Sequence, residues 1–215
     1  MTSLHLAEGL ERGPTILCLG AHCDDIEIGC GGTLLRLLRA RRDVKVRWIV
    51  FSSTPARALE AERAAALFLK GARARDVQIH TFEDGHFPYQ GSEIKRVFEA
   101  LKGGPAPDLV FTHYRDDRHQ DHRVLSDTAW QTFRDSLILE YEIPKYDGDL
   151  GTPNVFSHLD ASTSERKIRA IVKSYRTQHA KPWFTEETLR GLMRLRGVES
   201  RARYAEAFYG RKLVL

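Results

Sequence analysis

The sequence predicts an α/β fold with a mostly parallel central sheet. Two observations carry that reading. Short apolar runs alternate with amphipathic stretches along the whole chain, the pattern of repeated βαβ units. No linker, internal repeat or low-complexity tract interrupts the alternation, so residues 1–215 read as one domain of a size that can bury a substantial core.

The elements follow in order. "TILCLG" (Thr15 to Gly20) is an apolar run ended by glycine, a buried strand. Gly29, Gly31 and Gly32 then suggest a tight turn with close helix–strand packing. "TLLRLLRARR" follows as a helix with Leu34, Leu35 and Leu38 on one face. "VKVRWIVFSS" is a second strand. "PARALEAERAAALFLKG" opens with proline and closes with glycine, as a helix does. "VQIHTF" is a third strand, "SEIKRVFEALKGG" a helix, and "PDLVFTHY" a fourth strand. From His119 to about Phe133 the chain is helical, with His122, Leu125, Ala129 and Phe133 on one stripe. "SLILEYE" is a fifth strand and "NVFSHLD" a short sixth. "STSERKIRAIVKSYRTQ" and "TEETLRGLMRLRGVESR" are helices, and "YAEAFYGRKLVL" is extended. The longest irregular stretch, "EIPKYDGDLGTPN", is either functional or an insertion.

Composition removes several functions. The net charge of +4 is mild and the Lys and Arg residues are scattered, so no nucleic-acid surface is expected. No stretch approaches the roughly 18 apolar residues of a membrane span. "MTSLHLAEGLERGP" carries acids and is not a signal peptide. Three cysteines (Cys18, Cys23, Cys30) are an odd count without a secretion signal, so a reducing cytoplasm is expected rather than a disulfide framework.

The chemistry gathers at two places. In a parallel sheet, strand C-termini share one edge, and ligands bind outside it. His22, Asp24 and Asp25 follow strand one at once, and "RDDRHQDHRVL" follows strand four. Imidazole and carboxylate suit zinc and similar divalent ions. His22 and Asp25 form a short chelating arm, while His119 and His122 sit three apart at a helix start. Each pair alone is a weak signal; their joint arrival on one rim is not. The glycine-rich stretch also invites a nucleotide-binding reading. A dinucleotide fingerprint, however, places G-x-G-x-x-G directly after the strand and an acid at the end of strand two, and both are absent here.

These motifs carry a resemblance. "AHCDDIEIGCGGTL" resembles the "AHPDDE" motif of the LmbE-like, or PIG-L, family of zinc-dependent N-acetylsugar deacetylases, and "HQDH" (His119 to His122) resembles its second motif. "YAEAF" near the end of the chain is also similar. The resemblance covers essentially the whole chain and implies the LmbE-like fold, a Rossmann-like three-layer sandwich. It implies that His22, Asp25 and His122 hold zinc, for which ferrous iron would accept the same ligands. It implies that Asp24 is the general base toward water, that a protonated His119 stabilises the oxyanion, and that Asp121 orients His119. Arg57, in "RALE", and Asp84, in "EDG", resemble positions that contact the sugar; surface salt bridging is the competing account. Glu27 resembles the motif's final acid, displaced by Ile26, and would support the ligands from behind or cap the helix. Cys23 stands where the family has proline, which would leave the loop less rigid and set a thiol close to the metal.

The substrate is read from "YEIPKYDGDLGTPNVF", which brings Tyr141, Glu142, Lys145, Tyr146, Asp147 and Asn154 toward the rim. Tyr141, Lys145 and Asn154 are taken as contacts to a polar sugar, and Lys145 with Arg57 as a pair able to meet a phosphate. A structural loop packed over the sheet is the alternative. The function expected is hydrolytic removal of an N-acetyl group from an amino-sugar conjugate. The rivals are deacylation of another N-acylated glycoconjugate, such as a thiol precursor or antibiotic, a non-hydrolytic nucleotide-binding protein, and a metal-binding regulator. A homo-oligomer is compatible with the sequence.

Overall fold

The computed structural model describes residue 10 and residues 13–213. Seven strands form one sheet in the order β3-β2-β1-β4-β5-β7-β6. They are β1 (Thr15–Gly20), β2 (Lys45–Val50), β3 (Ala74–Ile79), β4 (Leu109–His113), β5 (Leu137–Tyr141), β6 (Val155–Leu159) and β7 (Tyr204–Gly210). The first five are parallel, and β7 runs antiparallel between β5 and β6. Six helices complete the described chain: α1 (Asp25–Ala40), α2 (Pro55–Phe68), α3 (Gly91–Lys102), α4 (Gln120–Thr132), α5 (Ala161–Ser174) and α6 (Glu186–Glu199).

The period-two alternation of β1 splits the core into two layers. Ile16 and Cys18 face a cluster containing Leu34 and Leu38 of α1, Phe68 of α2, Ile168 and Ile171 of α5 and Met193 of α6. Leu17 and Leu19 face the opposite cluster, with Ile94 and Phe98 of α3 and Leu125, Ala129 and Phe133 of α4. Helices therefore cover both faces of the sheet, the three-layer arrangement expected. Strand order reverses between β1 and β4, and in open parallel sheets ligands bind at the strand C-termini beside such a switch point.

Two expectations change. The third strand lies at 74–79 rather than 77–82, because backbone pairing with β2 sets its register, Lys45 opposite Ala74. As an edge strand it is largely exposed and carries no apolar pattern from which to read that start. The larger correction concerns the glycines. They do not turn the chain: α1 begins at Asp25 and runs straight through Gly29, Gly31 and Gly32. Their role is close packing. A Cβ on Gly29 would overlap the Tyr141 ring, one on Gly31 would lie 2.6 Å from Phe68, and one on Gly32 would lie 2.5 Å from Leu159. Bare backbone there lets α1 settle onto the sheet, with its first turn at the C-terminal end of β1. At the chain ends, the expectation for residues 1–9, 11 and 12 and the last two residues of the extended C-terminal segment fall outside the described residues.

Candidate metal centre

Three imidazole or carboxylate atoms meet at the C-terminal edge of the sheet. His22 arrives from the turn after β1, Asp25 from the first residue of α1, and His122 from the first turn of α4. His122 Nε2 is 3.2 Å from His22 Nδ1, His22 Nδ1 is 3.4 Å from Asp25 Oδ2, and His122 Nε2 is 3.7 Å from Asp25 Oδ2. Ligands at zinc–ligand distances of 2.0–2.2 Å in a tetrahedron stand about 3.3 Å apart, so this triangle has the size of one tetrahedral face.

The remaining atoms of these residues are tied down. His122 Nδ1 is 2.9 Å from Asp117 Oδ2, which fixes Nε2 as the bare nitrogen. Lys145 Nζ bonds the same Asp117 oxygen at 2.9 Å and Asp149 at 2.5 Å. On the other side, His22 Nε2 is 2.9 Å from Asp84 and 3.3 Å from Asp121, which leaves Nδ1 to face the cluster. Asp25 Oδ2 also accepts from the His22 backbone N–H at 2.6 Å.

Electrostatics agree with a cation at this point. Burial, with His113 beside it, holds the His122 imidazole neutral, its pKa down to about 3, and so able to ligate. Burial opposes charge on His22 as well, but Asp25, Asp121 and Asp84 outweigh it and lift its pKa well above the ordinary value. Burial opposes ionisation of Asp25, yet His113, His122 and His22 keep it ionised. A negative cluster that must draw a proton onto a buried histidine is a cluster suited to a metal ion. The chemistry of the donor set, with the orientation of its lone pairs, therefore fits zinc or a similar divalent ion.

His113, not singled out from sequence, backs this set. It is fully buried at the end of β4, stacks on His122 at 3.8 Å between ring centroids, and lies 3.2 Å from Asp25. Its Nε2 already accepts the Ala21 backbone N–H at 3.0 Å, so that lone pair is committed. Asp117 was also missed. The signal for it was present in "RDDRHQDH", an acid five residues before His122, but two adjacent acids left the choice open.

Asp24 stands beside the triangle and is buried. It occupies the N-cap position of α1 yet makes no capping bond with its side chain. Arg57 Nη2 instead holds Oδ1 at 2.6 Å, and Oδ2 has no partner. His119 is the N-cap of α4, and its Nδ1 accepts the Asp121 backbone N–H at 3.3 Å. Nε2 is thereby the nitrogen that carries hydrogen, and burial with the nearby His22 lowers the imidazole's pKa.

Several expected roles move. Asp121 does not orient His119 through its carboxylate; that carboxylate accepts from Gly85 N–H at 2.7 Å and Phe87 N–H at 3.1 Å and holds His22. Arg57 is engaged with Asp24, and Asp84 bonds His22 through one oxygen while its side chain stays largely exposed. Tyr141 is fully buried, its ring against Gly29 and its hydroxyl donating to the Leu19 carbonyl at 2.6 Å, so it belongs to the core. Asn154 spends both amide atoms on the Gly210 backbone, clamping β6 to β7. Lys145 is likewise committed, to Asp117 and Asp149. Residues that alternate with turn formers after a strand look exposed in sequence; here the loop is folded back onto the Arg196–Glu142 ion pair and the segment before α4.

Glu27 neither caps α1 nor touches the ligands. It is buried, and burial pushes its carboxyl well above the usual range. Its Oε1 is 2.6 Å from the Tyr175 hydroxyl, which is also 2.5 Å from the Cys23 carbonyl. The Tyr175 hydroxyl thus bridges the Glu27 carboxyl and the Cys23 carbonyl. That chain pins the loop where proline was expected to. The Cys23 thiol is buried on the Ser52 carbonyl at 3.4 Å, with a pKa pushed up to about 12 by burial, and is neither a ligand nor an exposed nucleophile.

Fold and cluster together define a class: an α/β sandwich presenting a candidate cation site, with a half-free carboxylate beside it, at its switch point. The chain belongs to the PIG-L deacetylase family, whose description "PIG-L: GlcNAc-PI de-N-acetylase" matches residues 17–133. It is 30% identical over 141 residues to the uncharacterized deacetylase YaiS of Escherichia coli (strain K12), covering 60% of this chain and 74% of that one. Its structure is similar to N,N'-diacetylchitobiose deacetylase from Pyrococcus horikoshii, with a TM-score of 0.69, 21% identity, and 96% and 88% of the two chains covered. It is equally similar to GalB, the 4-carboxy-2-hydroxymuconate hydratase of Pseudomonas putida KT2440, with a TM-score of 0.69, 17% identity, and 94% and 98% covered. Both likenesses concern the fold, which evidently carries more than one chemistry. Among the described residues no helix is long and apolar enough to cross a membrane.

Proposed function

We propose that this chain is a metal-dependent N-deacetylase that releases acetate from an amino-sugar conjugate. The observation that carries the reading is Asp24: a buried carboxylate beside a three-ligand cradle, one oxygen clamped by Arg57 and the other without a partner. His22, Asp25 and His122 would hold a divalent ion, zinc or ferrous iron, whose Lewis acidity would lower the pKa of a water and polarise the acetamide carbonyl.

The protein's own groups then have distinct tasks. Asp24 Oδ2 accepts the proton of the attacking water as its oxygen bonds to the carbonyl carbon. Arg57 keeps that oxygen aimed, because Oδ1 cannot rotate away from the guanidinium. His119 donates Nε2–H to the carbonyl oxygen as it gains negative charge. It does so as a neutral imidazole, since its Nδ1 lone pair receives the Asp121 N–H. A preorganised donor of this kind contributes on the order of 3 kcal/mol to the transition state. The proton now on Asp24 is then available to the departing amine. The tetrahedral adduct collapses to acetate and the free amino sugar.

The test is acetate release from N-acetylglucosamine and its conjugates by the metal-loaded protein, before and after chelation. Acetate that appears with metal and stops without it supports the reading. Release of a different acyl group in preference to acetyl would shift it to the wider deacylase alternative. No amide hydrolysis across such a panel would remove it.

A further inference from the structure

All ten Phe, seven Tyr and three Trp of the sequence lie among the described residues, and only two are exposed: Tyr89 at 82% and Tyr146 at 74%. The other eighteen are buried or half-buried in the two cores and their margins. An aromatic ring turned fully to water is costly to hydrate, so two such rings placed independently would have no reason to choose the same region.

Both stand on turns bonded to the same short segment, residues 117–121. Tyr89 ends the short turn Phe87–Tyr89, and that turn is fastened to the start of α4. Asp121 accepts the Gly85 and Phe87 backbone N–H groups, Gln120 donates to the Gly85 carbonyl, and Asp84 in the same turn bonds His22. Tyr146 follows Lys145, whose ammonium bonds the Asp117 carboxylate that orients His122. Its loop is fastened again where Asp149 accepts the Arg118 N–H at 2.7 Å. Each tyrosine therefore sits on a turn clamped directly to the segment that carries His119 and His122, one on the side of β3, the other on the side of β5. Leu150, 41% exposed, lies in the same loop as Tyr146.

We infer that Tyr89 and Tyr146 are specificity-determining residues that stack on a sugar ring beyond the one that is deacetylated. The inference rests on the deacetylase reading and narrows its substrate to an oligosaccharide or glycoconjugate with at least one further pyranose ring. The chemistry is general. A pyranose presents a face of C–H groups that packs on an aromatic ring, while its hydroxyls stay in water around the ring edge. Tyrosine suits this because it offers rigid apolar area at low entropic cost and keeps its own hydroxyl solvated. Turns already held by backbone hydrogen bonds add no ordering cost on binding. The residues expected from sequence to contact substrate, Tyr141 and Asn154, are committed elsewhere, so the exposed rings are what the rim has left to offer an extended ligand.

The experiment compares the zinc-loaded full chain with Tyr89→Ala, Tyr146→Ala and the corresponding Phe variants. The substrates are N-acetylglucosamine, its β-1,4-linked disaccharide, and an octyl glycoside of the monosaccharide. Wild type is expected to prefer the disaccharide. Each Ala variant should lower that preference in kcat/KM by about fivefold, through KM, and the Phe variants should retain it. Equal effects on monosaccharide and disaccharide would overturn the inference, as would Ala variants that keep the full preference. A stronger preference for the octyl glycoside would replace the sugar ring with an apolar chain and overturn it too. Wild type that hydrolyses none of the three would remove the deacetylase reading itself, and the inference with it.

Discussion

Arg57 Nη2 lies 2.6 Å from Asp24 Oδ1 while the second oxygen of that carboxylate has no partner. The pair joins two elements that sequence separates by more than thirty positions, the N-cap of α1 and the first turn of α2. Its consequence is orientation. An aspartate at an N-cap ordinarily turns back to its own helix; this one is drawn outward and held. Asp24→Asn is expected to reduce kcat by at least about a hundredfold, at the lower end of what a general base contributes, with metal still bound. Arg57→Ala should reduce kcat by about tenfold with little change in metal content, because it frees the base to rotate without removing it. Acetate-release kinetics paired with elemental analysis separates these outcomes from loss of the ion.

Metal affinity should follow the outer bonds as well as the ligands. His122→Ala is expected to lose the ion and the activity together. Asp117→Asn leaves all three ligands in place but removes the charge that fixes the His122 tautomer and faces Lys145. Such outer partners are worth about 10- to 100-fold in metal affinity. Competition with a chelator of known affinity would register that loss, while wild-type affinity in Asp117→Asn would show that Asp117 serves only the loop.

How much of this was legible in the sequence depends on what kind of information each residue carries. Strand polarity alone sends the two motifs, with His22 and Asp25 and with His119 and His122, to one edge, while the choice of His22, Asp25 and His122 among them came from the family resemblance. The helices and the first six strands were likewise legible by period and capping, apart from the start of α1 and the register of the exposed β3, whereas β7 read only as an extended segment without its antiparallel pairing. The side chains around the ligands were not. Asp121 and Lys145 are polar residues near a site, and sequence proximity suggests they serve it directly. Whether a carboxylate faces its own helix, a neighbouring turn or a ligand is decided by long-range packing, such as the seating of Gly85 and Phe87 on Asp121. The three glycines show the same limit. Their spacing fits a turn and a helix equally well, and the choice is made by Tyr141, Phe68 and Leu159, which lie far along the chain.

Gly29 offers a direct check on that packing. Gly29→Ala adds a methyl where the Tyr141 ring already lies. Overpacking of this kind costs about 1–3 kcal/mol, which exceeds the roughly 1 kcal/mol that alanine returns in helix propensity. Thermal or urea unfolding should show a net loss of stability. Gain of stability would mean that α1 stands further from the sheet than described.

His80 supplies the pH dependence. Its ring packs beside both Phe51 and Phe82, its Nε2 has no partner, and burial lowers its pKa below 6.5. With the folded pKa below the unfolded one, the unfolded chain binds the proton first as pH falls. Stability from the neutral imidazole is thus present above about pH 6.5 and is lost as pH falls below it. His80→Phe removes this titration. The variant is expected to gain in melting temperature relative to wild type on going from pH 8 to pH 5, measured on both proteins in parallel; an unchanged difference would mean that His80 is hydrated.

Behind the site, Lys167 and Glu206 form a buried ion pair that closes on α1 itself. Lys167 Nζ is 2.6 Å from both Glu206 Oε1 and the Ile28 carbonyl, and Glu206 accepts the backbone N–H groups of Gly32 and Thr33 at 2.7 Å. Ile28 C=O and Gly32 N–H are four residues apart, the spacing of one helical hydrogen bond. Here both are met by the pair, in the span that joins the Asp25 turn to the leucine-rich remainder of α1. Removing one partner leaves a buried, uncompensated charge, which costs about 3–5 kcal/mol, whereas apolar replacement of both is far less harmful. Lys167→Met and Glu206→Leu should each destabilise strongly. The double variant should recover a large part of the loss in a double-mutant cycle. Because the Ile28 carbonyl and the Gly32 and Thr33 N–H groups lose their bonds to the pair even in the double variant, its recovery should stay incomplete. Strictly additive losses would show instead that each residue serves α1 alone and that the two charges do not interact.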